Sequence, residues 1–565
     1  MISKTCLRPK AGVAASTRSC FAAVMAALIL AGCASLDSTD SVVEIRRTSF
    51  GIPHITAKDY RGLGYGAGHA FAQDNFCALA EKINQVNGER SRYFGATTLA
   101  TTAGNPIGSI TSLTSDFLYK LQYDKATIKA LWSKADPQTQ ELADGYAAGY
   151  NRYLSETGAA NLPVECRGAA WVRPIAADDL YLWWASFTTV AGSQAFAQSI
   201  VDGGHQLPAV VGTGRASTTD AVLADAPPMD TRMMLASAGQ AMAREASLGD
   251  SGSNGWAFGG KVTENGKGML LTNPHWPWRA LTKFYLLHLT IPGQIDVMGI
   301  AYPGSPVPLT GFNKDLGWTG TVSTGPRFVI REMTLGTSPA TYVVDGVTKA
   351  MTARTLTVEV KGGAPVTRTY YSTEFGPLLK SAALGLDWTS RKAFAFTDIN
   401  LPNNRMMEQY LAMGRARTAE EGRQVMGAVL GSPLLNTLIA DAAGDAVYMD
   451  YTTKPNLSDA QLMACALPGA GQTNTAAGRP TMDGSKSNCS PENDPSTRQP
   501  GLLPMGKLPF LRRDDYVANA NNSYWLTNPA QPIAGMPQIN GPAAADIGMR
   551  ARMNLTTIMD RLAGV

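Results

Sequence analysis

The run Asp250-Ser251-Gly252-Ser253-Asn254-Gly255-Trp256-Ala257-Phe258 sets a Gly-Ser linkage in mid-chain, followed by Asn and then by strand-forming residues. A cut between Gly252 and Ser253 would make Ser253 a new N-terminus, with a hydroxyl and a free α-amine on one carbon skeleton. An α-amine titrates at about 7.7–8.0. It can therefore sit neutral near physiological pH and take a proton from its own hydroxyl, directly or through one water. That is a nucleophile and its base in a single residue. The plain alternative is a surface turn, because Gly, Ser, Asn and Asp are the usual turn formers.

The chain after Ser253 folds back towards it. Trp256-Ala257-Phe258 and Met269-Leu270-Leu271 read as strands around Asn265-Gly266, a strong hairpin signal. With those two residues as the loop, Trp256 would stand opposite His275, and Ser253 opposite the Trp276-Pro277-Trp278 end. A one-residue bulge would alter the facing but leave His275 near Ser253. By itself His275 is as readily a structural histidine at a strand end; the nearby candidate nucleophile favours a functional role.

Ser253-Asn254-Gly255-Trp256, followed by Gly266-Lys267-Gly268-Met269-Leu270-Leu271-Thr272-Asn273-Pro274-His275, resembles the start of the β-chain of penicillin-amidase-type N-terminal-nucleophile hydrolases. Phe284-Tyr285, the run Leu287–Gly293 and Asp296-Val297-Met298-Gly299 resemble the acyl-homoserine-lactone and aculeacin A acylase branch. The likeness runs from about Val43 to the C-terminus. It implies an α+β fold, the αββα sandwich of that class, with a helical α-chain over 34–202, a removable spacer over 203–252 and a β-rich β-chain over 253–565. It also implies that family β-chains continue well past Arg550, so a chain closing at Val565 is read as C-terminally shortened.

Residue by residue, the resemblance implies cleavage between Gly252 and Ser253, with Ser253 as nucleophile and His275 contacting its hydroxyl or amine. The oxyanion donors would be the backbone N–H of Val322, in Thr321-Val322-Ser323-Thr324, and the side chain of Asn521, in Asn519-Ala520-Asn521-Asn522-Ser523. Each such donor is typically worth about 2.7–4 kcal/mol. Arg550 would organise the Asn521 and amine end, with Arg552 the alternative. Trp276 and Trp278 would wall an apolar acyl pocket, in which each buried methylene contributes about 0.8 kcal/mol.

The remainder of the chain agrees with an exported protein. Lys4, Arg8, Lys10 and Arg18 form a basic region ahead of the apolar run Phe21–Leu30, so residues 1–33 read as a targeting segment. Leu30-Ala31-Gly32-Cys33 resembles a bacterial lipobox, which implies lipidation at Cys33. Ala34-Ser35 then points to an outer-membrane anchor facing the periplasm. Beyond this segment remain Cys77, Cys166, Cys465 and Cys489, an even set with three possible pairings. The family resemblance and chain proximity favour Cys77–Cys166 and Cys465–Cys489. No Cys-x-x-Cys or His-Glu-x-x-His spacing occurs, so no metal or other cofactor is expected. Net charge is only +4 with no basic tract, which argues against nucleic acid as a partner.

Local patterns fill in the frame. Val43–Arg47 and Gly51–Ile55 read as strands. Gly62, Gly64, Gly66 and Gly68 precede what reads as a helix, and do not fit a dinucleotide fingerprint. His54 and His69 in these motifs read as structural. From Asp124 to Thr157 the period is helical, with Leu142, Tyr146, Tyr150 and Tyr153 on one face. A further helix is expected near Ala177-Asp178-Asp179-Leu180. Hairpins are expected at Lys361-Gly362-Gly363 and between Asn436–Asp441 and Gly444–Tyr448. Residues 455–515 read as a long excursion holding one cysteine pair.

The expectation is an amide hydrolase that cuts itself into an α/β heterodimer and removes acyl chains, through an acyl-Ser253 ester, from N-acyl-homoserine lactones or similar small N-acyl amides. The alternatives are a β-lactam or lipopeptide side-chain acylase, and an unprocessed, non-enzymatic lipoprotein that binds acyl chains. A classical triad hydrolase is disfavoured, as no Gly-x-Ser-x-Gly is present.

Overall fold

The computed structural model describes residues 42–564 except 103–104, 206, 208–251, 277–282 and 339. The targeting segment with Cys33, most of the spacer and Trp278 therefore lie outside the described residues.

A nine-stranded sheet forms the centre. Its order is Glu44–Arg47, Pro53–Thr56, Tyr285–Ile291, Ile295–Ala301, Thr310–Phe312, Leu316–Val322, Leu435–Asp441, Ala446–Met449 and Phe510–Arg513. Pro53–Thr56 lies parallel to Tyr285–Ile291, so the part of the chain before the Gly252–Ser253 linkage is stitched into a sheet built mostly by the part after it. One face of this sheet carries helices, among them Tyr60–Val86, Pro137–Thr157, Ala177–Thr188 and Met406–Met413, over a common apolar core.

The other face carries a three-stranded sheet in the order Tyr516–Asn519, Gly252–Phe258, Met269–His275. Side chains alternate along a strand, so Ala257 and Val517 point inward onto Leu438, Ala440 and Tyr448. Trp256 and Phe258 point outward, where Leu555 and Ile558 of the helix Met549–Ala563 cover them. The layers thus run helix, sheet, sheet, helix, and the molecule is α+β. A separate eight-stranded sheet, centred on Phe328–Leu335 and Lys392–Asp398, flanks this sandwich.

Three expectations need correction. The alternating glycines do not precede a helix; they lie inside Tyr60–Val86. A Cβ on Gly64 or Gly68 would collide with the backbone carbonyls of Leu142 and Tyr146, and one on Gly145 or Gly149 with those of Arg61 and Tyr65. Gly64, Gly68, Gly145 and Gly149 let two helix backbones touch. The helical stretch Asp124–Thr157 is two helices, Lys125–Trp132 and Pro137–Thr157. Asp124 and Asp136 each cap a new start, and Pro137 suits the first turn, where no N–H is needed.

The third correction concerns the hairpin register. Gly252 pairs with His275, Ser253 with Pro274 and Trp256 with Leu271. Asn265-Gly266 does make a tight turn: Lys267 N–H donates to Asn265 Oδ1 and Gly266 has φ +68°. That turn sits within a longer connection containing the short 3-10 helix Gly260–Val262. The loop consumes residues that a two-residue turn would have left in the strands, and the facing shifts accordingly.

The hairpins around Lys361–Gly363 and between the strands Leu435–Asp441 and Ala446–Met449 form as expected. So does the helix Ala177–Thr188, and both expected disulfides are present, Cys77–Cys166 and Cys465–Cys489. His54 Nδ1 meets His288 Nδ1 at 2.8 Å, and His69 Nε2 meets Glu156 Oε2 at 3.2 Å, both as internal contacts. Among the described residues no helix is long and apolar enough to cross a membrane, and no group of His, Cys, Asp and Glu is placed to hold a metal ion.

Candidate active site

Ser253 is the second residue of its strand and only 2% exposed, with its side chain on the face turned to the central sheet. Its neighbours arrive from four further stretches of chain: His275 from the end of the paired strand, Val322 from a central-sheet strand, Asn521 from the loop after Tyr516–Asn519, and Arg550 from the first turn of the last helix. The hairpin places His275 directly across from Gly252.

The bonds around Ser253 have one consistent sense. Ser253 N–H donates to Asn521 Oδ1 at 2.7 Å, and Ser253 Oγ–H donates to the carbonyl of Gly252 at 2.8 Å. Arg550 Nη2 also donates to Asn521 Oδ1, at 2.8 Å. Two donors on one oxygen fix the orientation of the Asn521 amide, leaving Nδ2 on the opposite side. There it lies 3.3 Å from the carbonyl of Val322.

Val322 stands opposite Leu435, and Ser323 N–H donates to the Leu434 carbonyl at 2.9 Å. In that antiparallel register the N–H and C=O of Val322 itself point away from the neighbouring strand. They turn towards Asn521. One residue on, Ser323 Oγ–H donates to Asp450 Oδ2 at 2.7 Å. Asp450 is in turn paired with Lys454 at 2.9 Å, both fully buried, and burial pushes the Lys454 amine down to about 8.

Arg550 spans the outer side of the site. Its Nη1 donates to the Ser253 carbonyl at 2.7 Å and to Asn254 Oδ1 at 2.9 Å, and lies 3.5 Å from His275 Nε2. Asn254 is held by Asn554 Nδ2 at 3.2 Å and donates to Asn273 Oδ1 at 2.8 Å. The residue as a whole is exposed, yet its surroundings shed enough water to hold the guanidinium below the ordinary arginine value. Arg552 lies about 200° further round the helix, so the structure gives the position at the site to Arg550.

Gly252 stands where a side chain would not fit. A Cβ there would come within 2.6 Å of His275 Cε1, 3.0 Å of Asn521 Oδ1 and 3.1 Å of Arg550 Nη2. The residue before the serine therefore has to be glycine if these three groups are to close on the linkage.

Trp276 is buried in an aromatic group, with ring centres 5.8 Å from Tyr302 and 6.3 Å from Phe284. A cavity of about 590 Å³ follows the inner face of the strand Met269–His275 from Lys267 past Leu270 and Thr272 to Pro274, bounded across by Ile300 and Trp318; Trp276 is not among its walls.

Asn521 and Arg550 are thus brought to Ser253, Val322 to Asn521, and His275 to Gly252 and Arg550. Sequence reasoning missed the second ring of amides, Asn254, Asn273, Asn436, Asn519 and Asn554. The density of Asn in Asn519-Ala520-Asn521-Asn522 was the one available signal.

Comparison with known proteins places the chain in a family. The penicillin amidase family model matches residues 42–563. An acyl-homoserine lactone acylase of Pseudomonas fluorescens is 38% identical over 91% of this chain and 62% of its own length. The aculeacin-A acylase of Actinoplanes utahensis is 37% identical over 92% of this chain and 64% of its own. The chain thus spans a little under two thirds of the length of these relatives. Among solved structures, a thermostable penicillin G acylase from Alcaligenes faecalis aligns with TM-score 0.41 and 18% identity, covering 55% of this chain and 49% of that one.

Proposed function

The chain belongs to the penicillin amidase family, and on that premise we propose that it is a self-processing amide hydrolase whose nucleophile is Ser253 and whose substrates are N-acyl-homoserine lactones or similar N-acyl amides. The observation that carries this reading is the convergence on Ser253 N of Asn521 Oδ1, itself fixed by Arg550.

Processing begins with Ser253 Oγ attacking the carbonyl carbon of Gly252, whose oxygen it already contacts. The C–O bond of an ester forms, the C–N bond of the linkage breaks, and the nitrogen takes up the Oγ proton and leaves as the Ser253 α-amine. Water then hydrolyses the ester and frees the Gly252 carboxylate.

In turnover the neutral amine takes the Oγ proton as Oγ attacks the substrate carbonyl. Asn521 Oδ1 accepts an N–H of that amine, which holds its lone pair towards the hydroxyl. The Val322 N–H and Asn521 Nδ2 stabilise the oxyanion. The proton passes to the leaving amine, the acyl chain remains on Ser253, and water releases it by the same route. Arg550, a cation beside the amine, favours the neutral form that the reaction needs. Trp276, packed against Phe284 and Tyr302, is the described aromatic residue next to His275.

A lipopeptide side chain is the second reading, supported by the nearly equal identity to the aculeacin-A acylase. We assign the mature chain a lipid anchor on Cys33 facing the periplasm, on the strength of Leu30-Ala31-Gly32-Cys33. The test of the main reading is expression of the full chain, separation on a denaturing gel and N-terminal sequencing. Two fragments, the larger beginning at Ser253 and releasing homoserine lactone from an N-acyl-homoserine lactone, are expected. A single intact band with full turnover would falsify it, and release of a lipopeptide acyl group alone would favour the second reading.

A further inference from the structure

Behind the site runs a chain of buried hydrogen bonds with one fixed direction. Tyr448 OH donates to Asn436 Oδ1 at 3.1 Å, Asn436 Nδ2 donates to Thr321 Oγ1 at 3.1 Å, and Thr321 Oγ1 donates to Asn519 Oδ1 at 2.6 Å. Asn436 Nδ2 also reaches Asn519 Oδ1 at 3.4 Å. All four side chains are 2% exposed or less. The chain ends on one oxygen, Asn519 Oδ1, and that oxygen also accepts the backbone N–H of Asn521 at 3.0 Å. Asn519 Nδ2 closes the loop on the far side by donating to the carbonyl of Asn522 at 2.9 Å.

The amide of Asn519 cannot be turned over within this network. Its NH2 would then face the Asn521 N–H, which can only donate, and its oxygen the Asn522 carbonyl, which can only accept. Asn519 therefore ties together two segments that are distant in sequence. Thr321 immediately precedes Val322, and Asn521 carries the other oxyanion donor. Asn521 itself has φ +65°, a left-handed conformation that a non-glycine residue holds only when its surroundings impose it. The bond from its own N–H to Asn519 is part of what imposes it.

We propose that Asn519 is a positioning residue for amide hydrolysis, which sets the gap between the Val322 N–H and Asn521 Nδ2 with Thr321 as its anchor. The inference rests on the acylase reading above. An oxyanion grows in that gap, and a displacement of about 1 Å in such a site can cost as much as roughly a hundredfold in rate.

The test removes the anchor without changing its shape. Thr321→Val is expected to lower kcat about tenfold with KM within about twofold, and Thr321→Ser, which keeps the hydroxyl, to return kcat to within about threefold of the parent. Hydrogen exchange at the Asn521 amide should rise about tenfold in Thr321→Val. In an Asn521→Ala background Thr321→Val should cause no further loss, because the residue acts through Asn521. Parent-like kcat and exchange in Thr321→Val overturns the proposal. So does a loss that persists in full without Asn521, or one that Thr321→Ser fails to restore. Should the parent chain show no Ser253-dependent turnover, the acylase reading fails, and exchange at Asn521 alone decides whether Asn519 couples the two segments.

Discussion

The strand Gly252–Phe258 meets different chemistry on its two faces. On the inner face, Ser253 and Gly255 look onto neutral groups: Thr321, Asn436, Asn519 and the Asn521 amide. The packing there is tight, since a Cβ on Gly255 would sit 3.0 Å from Thr319 Cγ2. On the outer face, Asn254 is held by Arg550 and Asn554, and beyond them Trp256 and Phe258 rest on Leu555 and Ile558. The inner half uses no charge to grip the serine nitrogen and leaves the cation to the rim. An uncompensated charge in the dry interlayer would be costly. At the rim the same charge can be hydrated and still act on the serine nitrogen.

The contrast can be broken or sharpened by substitution. The largest effect belongs to the group both faces share: Ser253→Ala should abolish cleavage and turnover together, read on a gel and by substrate release, and any surviving hydrolysis would move the nucleophile elsewhere. On the inner face, Asn521→Ala should cost about a hundred- to a thousandfold in kcat, the usual effect of removing one oxyanion donor. A mere change in KM would place Asn521 in ground-state binding instead.

On the outer face, Arg550→Met should lower kcat/KM by roughly tenfold or more, since hydrogen bonds to a charged group are worth about 1.5–3 kcal/mol. Its signature is in the pH profile. A neighbouring cation disfavours the protonated amine, so removing it raises the amine pKa and moves the acid limb of kcat/KM to higher pH. An unmoved limb would show that Arg550 only holds Asn521 and the Ser253 carbonyl in place. The smallest effect on chemistry is expected from Leu555→Ala at the buried outer contact. It should lower unfolding stability by about 2–4 kcal/mol while turnover per processed molecule at a permissive temperature stays near the parent value. A loss as large as that of Arg550→Met would mean that the helix positions the arginine through Leu555.

Much of the site was legible in the sequence because its members sit in short motifs: Gly252-Ser253-Asn254-Gly255, Pro274-His275, Asn519–Asn522 and the Arg550 segment. Strand identity was legible too, from the strand-forming residues Trp256-Ala257-Phe258 and from Gly444 at its turn, where φ is +91°. Register was not. The Asn265-Gly266 turn is real, but its signal is the same in a two-residue hairpin as in a longer connection, and only the packing of Gly259 and Gly260 against Asp514 and Gly444 selects the latter.

The sequence by itself singled out the Gly252–Ser253 linkage as the candidate cut, Ser253 as the candidate nucleophile, the polar groups around it and the four cysteines that pair, because each depends on residue type and local spacing. The tertiary structure decided which amide faces which. That Asn519 reaches both Thr321 and Asn521, that Arg550 rather than Arg552 meets the serine, and that Gly64 and Gly68 bring two helices together follow from contacts between segments far apart in the chain. Such contacts are fixed by how layers pack and by the need to satisfy every buried donor, and neither condition is written in any one stretch of residues.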